Sequence, residues 1–230
     1  MNKTENLSEQ ILSSVQRREN SNTKIKKLGI ACFEQLPLLP DSSQVKIRDI
    51  DQICSRAVAC LLSTQLACDL ANSENSKQST ELFSKLLTNF GVENELIAKE
   101  KRLFDNKYSQ QDIVDVIWTY EAYWSLVWAL GLVDDIEIPD DICDCHTAVH
   151  LVADCKNYDT FKESCSLRDT DQILDMLDLY YRYHWACEDK RLKPDTNIGS
   201  LNPEVVVERR RGLEWLISEE TDWNDISLDT

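Results

Sequence analysis

The chain has little of what interrupts a helix. Among its 230 residues, only five are glycine and five are proline. These residues punctuate the many turns of sandwiches and barrels, so their scarcity beside abundant Leu, Ile, Glu and Lys disfavours an all-β fold. The composition therefore predicts an all-α protein with long helices.

Motifs that would name a reaction are also missing. The chain contains no glycine-rich phosphate loop, no G-x-S-x-G nucleophile turn and no H-E-x-x-H helix. No catalytic residue is assigned on this basis. The sequence favours a non-catalytic protein over an enzyme.

A membrane-spanning run and a leader are absent as well. Inspection finds no apolar stretch of about 20 residues, the length that crosses a bilayer. The polar residues 1–6 lead into no hydrophobic signal region. Nine cysteines, an odd number at irregular spacing, fit small buried side chains of a reducing compartment better than disulfides. We expect a cytoplasmic protein with no membrane partner.

What the chain has in excess is negative charge. Acidic residues outnumber basic ones by 41 to 25, which gives a formal net charge of −16. Between Asp134 and Asp178 there are 13 acids and 3 bases. Such a surface repels phosphate backbones, which disfavours nucleic acid, and attracts a basic protein or divalent cations. Solubility alone is the simpler interpretation.

The order of apolar stripes and breaks predicts one helical domain. Residues 1–23 are polar and are expected to form a flexible segment, followed by a single α-helical domain over residues 24–230 with about seven or eight helices. A stripe at helical spacing starts near Asp51, a second ends at Gly91, and a short helix follows at 94–104.

Three longer helices are predicted in the second half. The strongest stripe runs over 113–128, after the capping residue Ser109 and before Gly131. Another stripe covers 170–190, in which Thr170 can cap. The last helix is expected at 203–217, because Asn202 and the proline after it form a good start signal.

Arg209 on the last helix carries the sharpest inference. It falls in the apolar stripe of Val206 and Leu213 and is therefore predicted to be buried. A buried guanidinium keeps its charge, so it must be paired and hydrogen-bonded. It forms either a structural ion pair between helices, the commoner use, or a grip on the carboxylate or phosphate of a ligand. Its candidate partners are Asp175, Asp178, Glu188, Glu121 and Asp225.

His184 has a parallel position on the preceding helix, in a stripe with Tyr180 and Cys187. With Glu188 one turn on, it can act as a general base or hold half of a metal site, although such a histidine is more often a satisfied core residue. We expect the last two long helices to pack on helix 110–130, which would bring together at one place the side chains of His184, Trp185, Arg209, Trp215, Trp223 and Asp225. The candidate binding residues are Arg182, His184, Trp185, Glu188, Glu208, Arg209, Trp215, Trp223 and Asp225.

A cysteine–histidine group is a weak candidate for zinc. Cys143, Cys145, His146 and His150 are ligand types of a tetrahedral site, and a helix after Cys145 would put both histidines on one face. C-x-C is less diagnostic than C-x-x-C, and no second cysteine pair stands at a standard distance. We therefore predict no cofactor and keep zinc at these four residues as the alternative.

Several segments together form a family pattern. They are Arg48 and Arg56, the core stretch 121–132, and the segments 181–186, 208–216, 222–225 and 229–230. On these pieces the chain resembles the family called domain of unknown function 4272 over nearly its whole length, from about Arg17. The resemblance implies a shared pattern of residues and no catalytic role, and the cysteines and histidines of 143–155 lie outside that pattern.

Two classes of function remain. The first, which the charge and the missing motifs favour, is a non-catalytic acidic interaction protein, of inhibitor or immunity type, that binds a basic protein. The second is an enzyme or small-ligand binder that uses His184, Glu188 and Arg209 in a cleft between the C-terminal helices. Salt-sensitive binding of a basic protein would support the first class. Loss of ligand binding in a folded His184 or Arg209 variant would support the second.

Overall fold

Helices account for the regular structure of the chain. The computed structural model describes residues 13–72, 76–218 and 222–230. Within these residues there is no strand, and short 3-10 helices occur at Ser42–Gln44, Glu93–Glu95 and Trp223–Asp225. The nine α-helices of the described residues are α1 Ser14–Lys27, α2 Ile50–Ala71, α3 Ser76–Phe90, α4 Ala98–Phe104, α5 Gln110–Ala129, α6 Cys145–Ala153, α7 Tyr158–Glu163, α8 Thr170–Leu192 and α9 Pro203–Ile217.

The predicted all-α class is confirmed, and so are most helix ends. Ser109 and Asp112 exchange capping hydrogen bonds at the start of α5, and Asn202 caps α9 with proline at its first position. Gly131 has a φ of +74°, the left-handed conformation that stops α5. The helix number exceeds the seven or eight expected because α6 and α7 are short and lie in the acidic stretch. α8 is capped by Asp169 instead of Thr170.

α5 is the central helix of the molecule. It packs most extensively on α2 and α9, and every residue from 119 to 130 is buried. A helix that is covered on all sides must be apolar nearly all round, as this one is. α9 approaches it closely at Gly212, where a Cβ atom would lie 2.7 Å from the carbonyl oxygen of Ala122. The glycine therefore sets the spacing that allows side chains of α9 to reach α5.

α1 corrects the predicted boundary of the N-terminal segment. Residues 14–23 were expected to be flexible, yet they lie in a helix that packs on α8. Arg17 is 1% exposed and pairs with Asp171 at 2.9 Å and with Asp175 at 2.8 Å. Its partners lie more than 150 positions away, so no local pattern could reveal that this polar helix is held in place. The remaining residues of that prediction, 1–12, lie outside the described part of the chain.

α2 is long and apolar enough to pass a test for a membrane-spanning helix. Inspection of the sequence had found no such run, but an 18-residue window within Ile50–Ala71 has a mean hydropathy of 1.3. Within the described residues this is the one helix that passes, and 78% of its window is buried inside the protein. The apolar character of α2 is thus accounted for by its packing on α3 and α5.

Candidate functional site

Three consecutive arginines on α9 have three different surroundings. Successive residues of a helix are rotated by about 100°, so Arg209, Arg210 and Arg211 cannot share a face. Arg209 reaches α5, Arg210 reaches α8 and the end of the chain, and Arg211 lines an open cleft. Arg209 and Arg210 are 4% and 3% exposed, whereas Arg211 is only partly buried.

The predicted burial of Arg209 is confirmed, and Glu121 is its partner. Nε of Arg209 donates to Oε2 of Glu121 at 2.9 Å. The same guanidinium contacts the hydroxyl of Tyr180 at 3.5 Å and donates to the carbonyl oxygen of Asp141 at 3.1 Å. We call Glu121, Tyr180 and Arg209 the Glu121 network. Its charges are satisfied inside the protein, as a buried ion pair requires.

The buried side chains of the Glu121 network hold the backbone of the segment between α5 and α6 in place. The Tyr180 hydroxyl donates to the carbonyl oxygen of Ile136 at 2.5 Å, and Oε1 of Glu121 accepts from the amide of Cys143 at 2.7 Å. The bond from Arg209 to the Asp141 carbonyl lies between these two anchors. We call residues 132–144 the acidic loop. Its backbone is therefore fixed at three points by buried side chains.

The outer surface of the acidic loop combines carboxylates with two isoleucines. Ile138 is 46% and Ile142 is 54% exposed. Glu137 pairs with Lys24 of α1 at 3.1 Å, and within the described residues it is the one loop acid in an ion pair. The exposed acids of the loop without such a pair are Asp134, Asp135, Asp140, Asp141 and Asp144.

His184 belongs to a second network, centred on Arg210. Nη1 of Arg210 donates to Nδ1 of His184 at 2.6 Å, and the guanidinium also pairs with Glu214 at 3.0 Å. It further donates to the carbonyl oxygens of Leu228 and Asp229, which ties the end of the chain to α9. The partner of His184 is therefore Arg210, the residue that directly follows Arg209, which the sequence pattern had singled out.

The protonation state of His184 follows from these surroundings. Burial, and then the positive charge of Arg210, lower the pKa of His184 to about 4. The ring is consequently neutral near pH 7, and its Nδ1 is occupied as an acceptor. A neutral imidazole that already accepts a hydrogen bond from an arginine is a structural partner of that arginine. This is the satisfied core role that the sequence left open for His184.

Trp215 and Trp223 form a separate group with two arginines of α2 and the segment before it. The guanidinium of Arg48 lies 4.1 Å from the ring centre of Trp215, and that of Arg56 lies 5.0 Å from the ring centre of Trp223. Arg56 is also paired with the buried Glu100. The first contact holds the segment before α2 against α9, and the second holds the segment after α9 against α2.

Three other predicted binding residues lie elsewhere. Arg182 is buried and pairs with Asp178, one turn earlier in α8, at 2.7 Å. Trp185 stacks on Phe33 with ring centres 5.7 Å apart. Asp225 is exposed in the last 3-10 helix. The nine candidates therefore occupy several distinct environments, and they do not form the single cluster that was expected.

Glu188 and Glu208 line an open cleft of about 630 Å³. Its walls come from α4, α5, α8, α9 and the last 3-10 helix. Glu188 pairs with Arg191 at 2.7 Å and Glu208 with Arg211 at 3.2 Å. Burial raises the pKa of Glu208. The apolar part of the lining consists of Ile97, Val116, Trp118, Pro203, Val207 and Trp223.

The cysteine–histidine group gives the zinc hypothesis no geometric support. α6 does place His146 and His150 one turn apart, with ring centres at 4.5 Å. Cys143, however, is a buried residue of the acidic loop, and burial, and then the charge of Glu121, raise the pKa of its thiol. Cys145 is exposed. Across the described residues, no group of three or more His, Cys, Asp or Glu side chains is placed to hold a metal ion.

Sequence reasoning missed several residues of these environments. Arg210 lies outside the apolar stripe of α9, but its position four residues before Glu214 was a local sign of an ion pair. Trp118 lies outside the core stripe of α5, and a tryptophan in such a position is a sign of a second surface. Lys99 and Glu204 gave no sign in the sequence.

Comparison with known proteins reaches the level of a family. The profile of the family described as Domain of unknown function (DUF4272) matches residues 17–226. No curated protein and no solved structure matches the chain. The matched range contains the Glu121 network, the acidic loop and all the residues that line the cleft.

Proposed function

The chain belongs to the DUF4272 family, and from its geometry we propose that it is a non-catalytic protein that binds a basic protein through the acidic loop. The observation that carries the proposal is the fixation of this loop by the Glu121 network. All three members of that network bond to the loop backbone, at Ile136, Asp141 and Cys143. Five of the loop acids, Asp134, Asp135, Asp140, Asp141 and Asp144, are exposed.

Fixation of the backbone favours binding. A loop that is ordered before its partner arrives loses less conformational entropy on association, so more of the contact energy contributes to affinity. The five exposed, unpaired loop acids provide a concentrated negative field that accelerates encounter with a positive surface.

The exposed isoleucines supply the apolar part of such a contact. Ile138 and Ile142 lie among the loop acids and are about half exposed. Interfaces derive most of their energy from a few desolvated apolar side chains, while charges at the rim contribute specificity and association rate. The loop therefore offers both components in one segment of 13 residues, 132–144.

The hydrogen bonds that Arg209 and His184 make inside the protein also support a non-catalytic role. Arg209 is bonded to Glu121, Tyr180 and the loop backbone, and His184 accepts from Arg210. Neither Arg209 nor His184 lines the cleft. Of the predicted set of His184, Glu188 and Arg209, only Glu188 does.

The experiment compares two variants of equal net charge. Asp140→Asn/Asp141→Asn removes two loop charges, and Glu81→Gln/Glu93→Gln removes two exposed charges elsewhere. A basic protein is recovered from the host at low salt, purified, and titrated against both variants by calorimetry. We expect the loop variant to bind about tenfold more weakly and the control to change by about twofold or less.

Two results would overturn the proposal. One is an equal loss in both variants, which would mean that binding follows net charge and not the loop. The other is the recovery of no basic protein at low salt. Ile138→Ala/Ile142→Ala tests the apolar component, and we expect it to weaken binding without changing the salt dependence.

A further inference from the structure

The cleft between α5, α8 and α9 is separate from the acidic loop. Its basic side chains are all in ion pairs, but one of its acidic side chains has no ion pair among the described residues. Its lining contains three basic side chains, each of which already pairs with a lining carboxylate: Lys99 with Asp115, Arg191 with Glu188, and Arg211 with Glu208. A fourth lining acid, Glu204, has no ion pair within the described residues. From these properties we propose that the cleft binds a small organic cation with an apolar body.

The charge of the expected ligand follows from the numbers of acidic and basic side chains in the lining. Four acids and three bases line the cleft, so its formal charge is −1. An anion would have to displace a carboxylate from each cation it approached. A cation instead meets Glu204, which lies in the first turn of α9 and has no ion-pair partner to displace among the described residues.

Two of the four lining acids come from α9 and one from α8. Glu204 and Glu208 are one turn apart on α9 and therefore share a face. Glu188 approaches from α8, where its partner Arg191 is 67% exposed. An exposed pair of this kind is weak, so Glu188 can exchange Arg191 for a ligand cation.

Trp118 supplies the second element of recognition. It projects from α5 into the cleft lining and is only partly buried. Among the described residues its ring makes no stacking contact and no cation–π contact with an arginine, unlike the rings of Trp185, Trp215 and Trp223. Tryptophan binds ammonium and guanidinium groups over its ring, and it does so best beside carboxylates that exclude anions.

The size of the cleft selects an organic ligand over a bare ion. A volume of about 630 Å³ lies within the range of small-molecule sites. Val116, Pro203 and Val207 provide apolar surface for the body of the ligand. The expected occupant thus carries an ammonium or guanidinium group on an aliphatic or aromatic stem.

The test uses three probes that differ in charge. Phenethylamine, 2-phenylethanol and 3-phenylpropionate have similar shapes and are cationic, neutral and anionic near pH 7. Agmatine provides a cation on an aliphatic stem. Titration of the full chain by calorimetry should give binding of at least one cation that is about tenfold tighter than binding of the neutral and anionic probes. The inference is overturned if neither cation binds, or if the anion binds as tightly.

Variants then locate the site. Glu204→Gln lies at an exposed position and should weaken cation binding about tenfold, and Glu81→Gln on α3 is the matched control with a change of about twofold or less. Trp118→Leu should also weaken binding, and Trp118→Phe, which keeps a ring, should retain part of it. Equal weakening by Glu204→Gln and Glu81→Gln would overturn the inference. The loop variant Asp140→Asn/Asp141→Asn should bind the cation normally, so failure here leaves the acidic-loop proposal standing.

Discussion

The charged residues of α9 fall into two regions that differ in their access to water. On the core side, Arg209 and Arg210 are buried and each has at least three polar partners inside the protein. On the cleft side, Arg211 has one carboxylate partner, and Glu204 has no ion pair within the described residues. A buried charge without partners costs several kcal/mol, whereas an exposed charge is solvated by water. A buried arginine therefore has a structural role, whereas an exposed charged side chain remains available to bind a ligand.

Removal of one arginine from each side of α9 tests this difference most directly. Arg209→Leu leaves Glu121 buried without its partner, so we expect a loss of about 3–5 kcal/mol in the free energy of unfolding. Arg211→Leu breaks a partly exposed pair and should cost about 1 kcal/mol or less. Urea unfolding measures both.

A second variant keeps this prediction testable if Arg209→Leu does not fold. Replacing both partners, as in Arg209→Met/Glu121→Leu, removes the unpaired charge and should recover most of the lost stability. Hydrogen exchange of the Cys143 amide, which donates to Glu121, should quicken in Arg209→Leu. A loss below about 1 kcal/mol in that variant would contradict the structural role of the network.

The second prediction uses pH to sharpen the contrast between buried and exposed histidines. The pKa of His184 is about 4 in the folded protein and about 6.5 when unfolded, so the unfolded chain binds the extra proton between these values. The contribution of His184 to stability is complete above pH 6.5 and is lost as the pH falls towards 4, by up to about 3 kcal/mol.

A matched pair of variants isolates this effect. In His184→Asn the amide oxygen can replace Nδ1 as acceptor from Arg210 but does not titrate, so the loss between pH 6.5 and 4 should shrink. His150→Asn changes an exposed histidine and should leave the wild-type pH profile intact. Superimposable profiles for the wild-type protein and His184→Asn would show that this histidine is not buried in its neutral form.

The third prediction concerns the close approach between α5 and α9. In an exposed helix, glycine to alanine stabilises by about 1 kcal/mol. Gly212→Ala should instead destabilise by about 2 kcal/mol, because the new methyl group would meet the Ala122 carbonyl oxygen at 2.7 Å. Thermal unfolding of Gly212→Ala tests this prediction, and the expected result is a melting temperature below that of the wild-type protein. A stabilised variant would mean that the two helices are further apart.

Local signals predicted most of the fold. The helix ends at Ser109, Gly131 and Asn202 were recognisable because caps and left-handed glycines act over a few residues. α6 and α7 were missed, since their apolar faces are short and lie in an acidic stretch. The flexible segment was drawn too long because α1 is polar and depends on the partners of Arg17 in α8.

The all-α class, the main helix ends and the burial of Arg209 follow from the amino-acid sequence, because they depend on neighbours within about one or two turns. Only the tertiary structure decided that Glu121 is the partner of Arg209, that Arg210 takes His184, and that Glu204 is left without an ion pair in the described residues. The physical reason is distance along the chain. A side chain restricts its near neighbours through local geometry, but the choice among remote partners depends on how helices pack, and here that is set by the contact of α9 with α5.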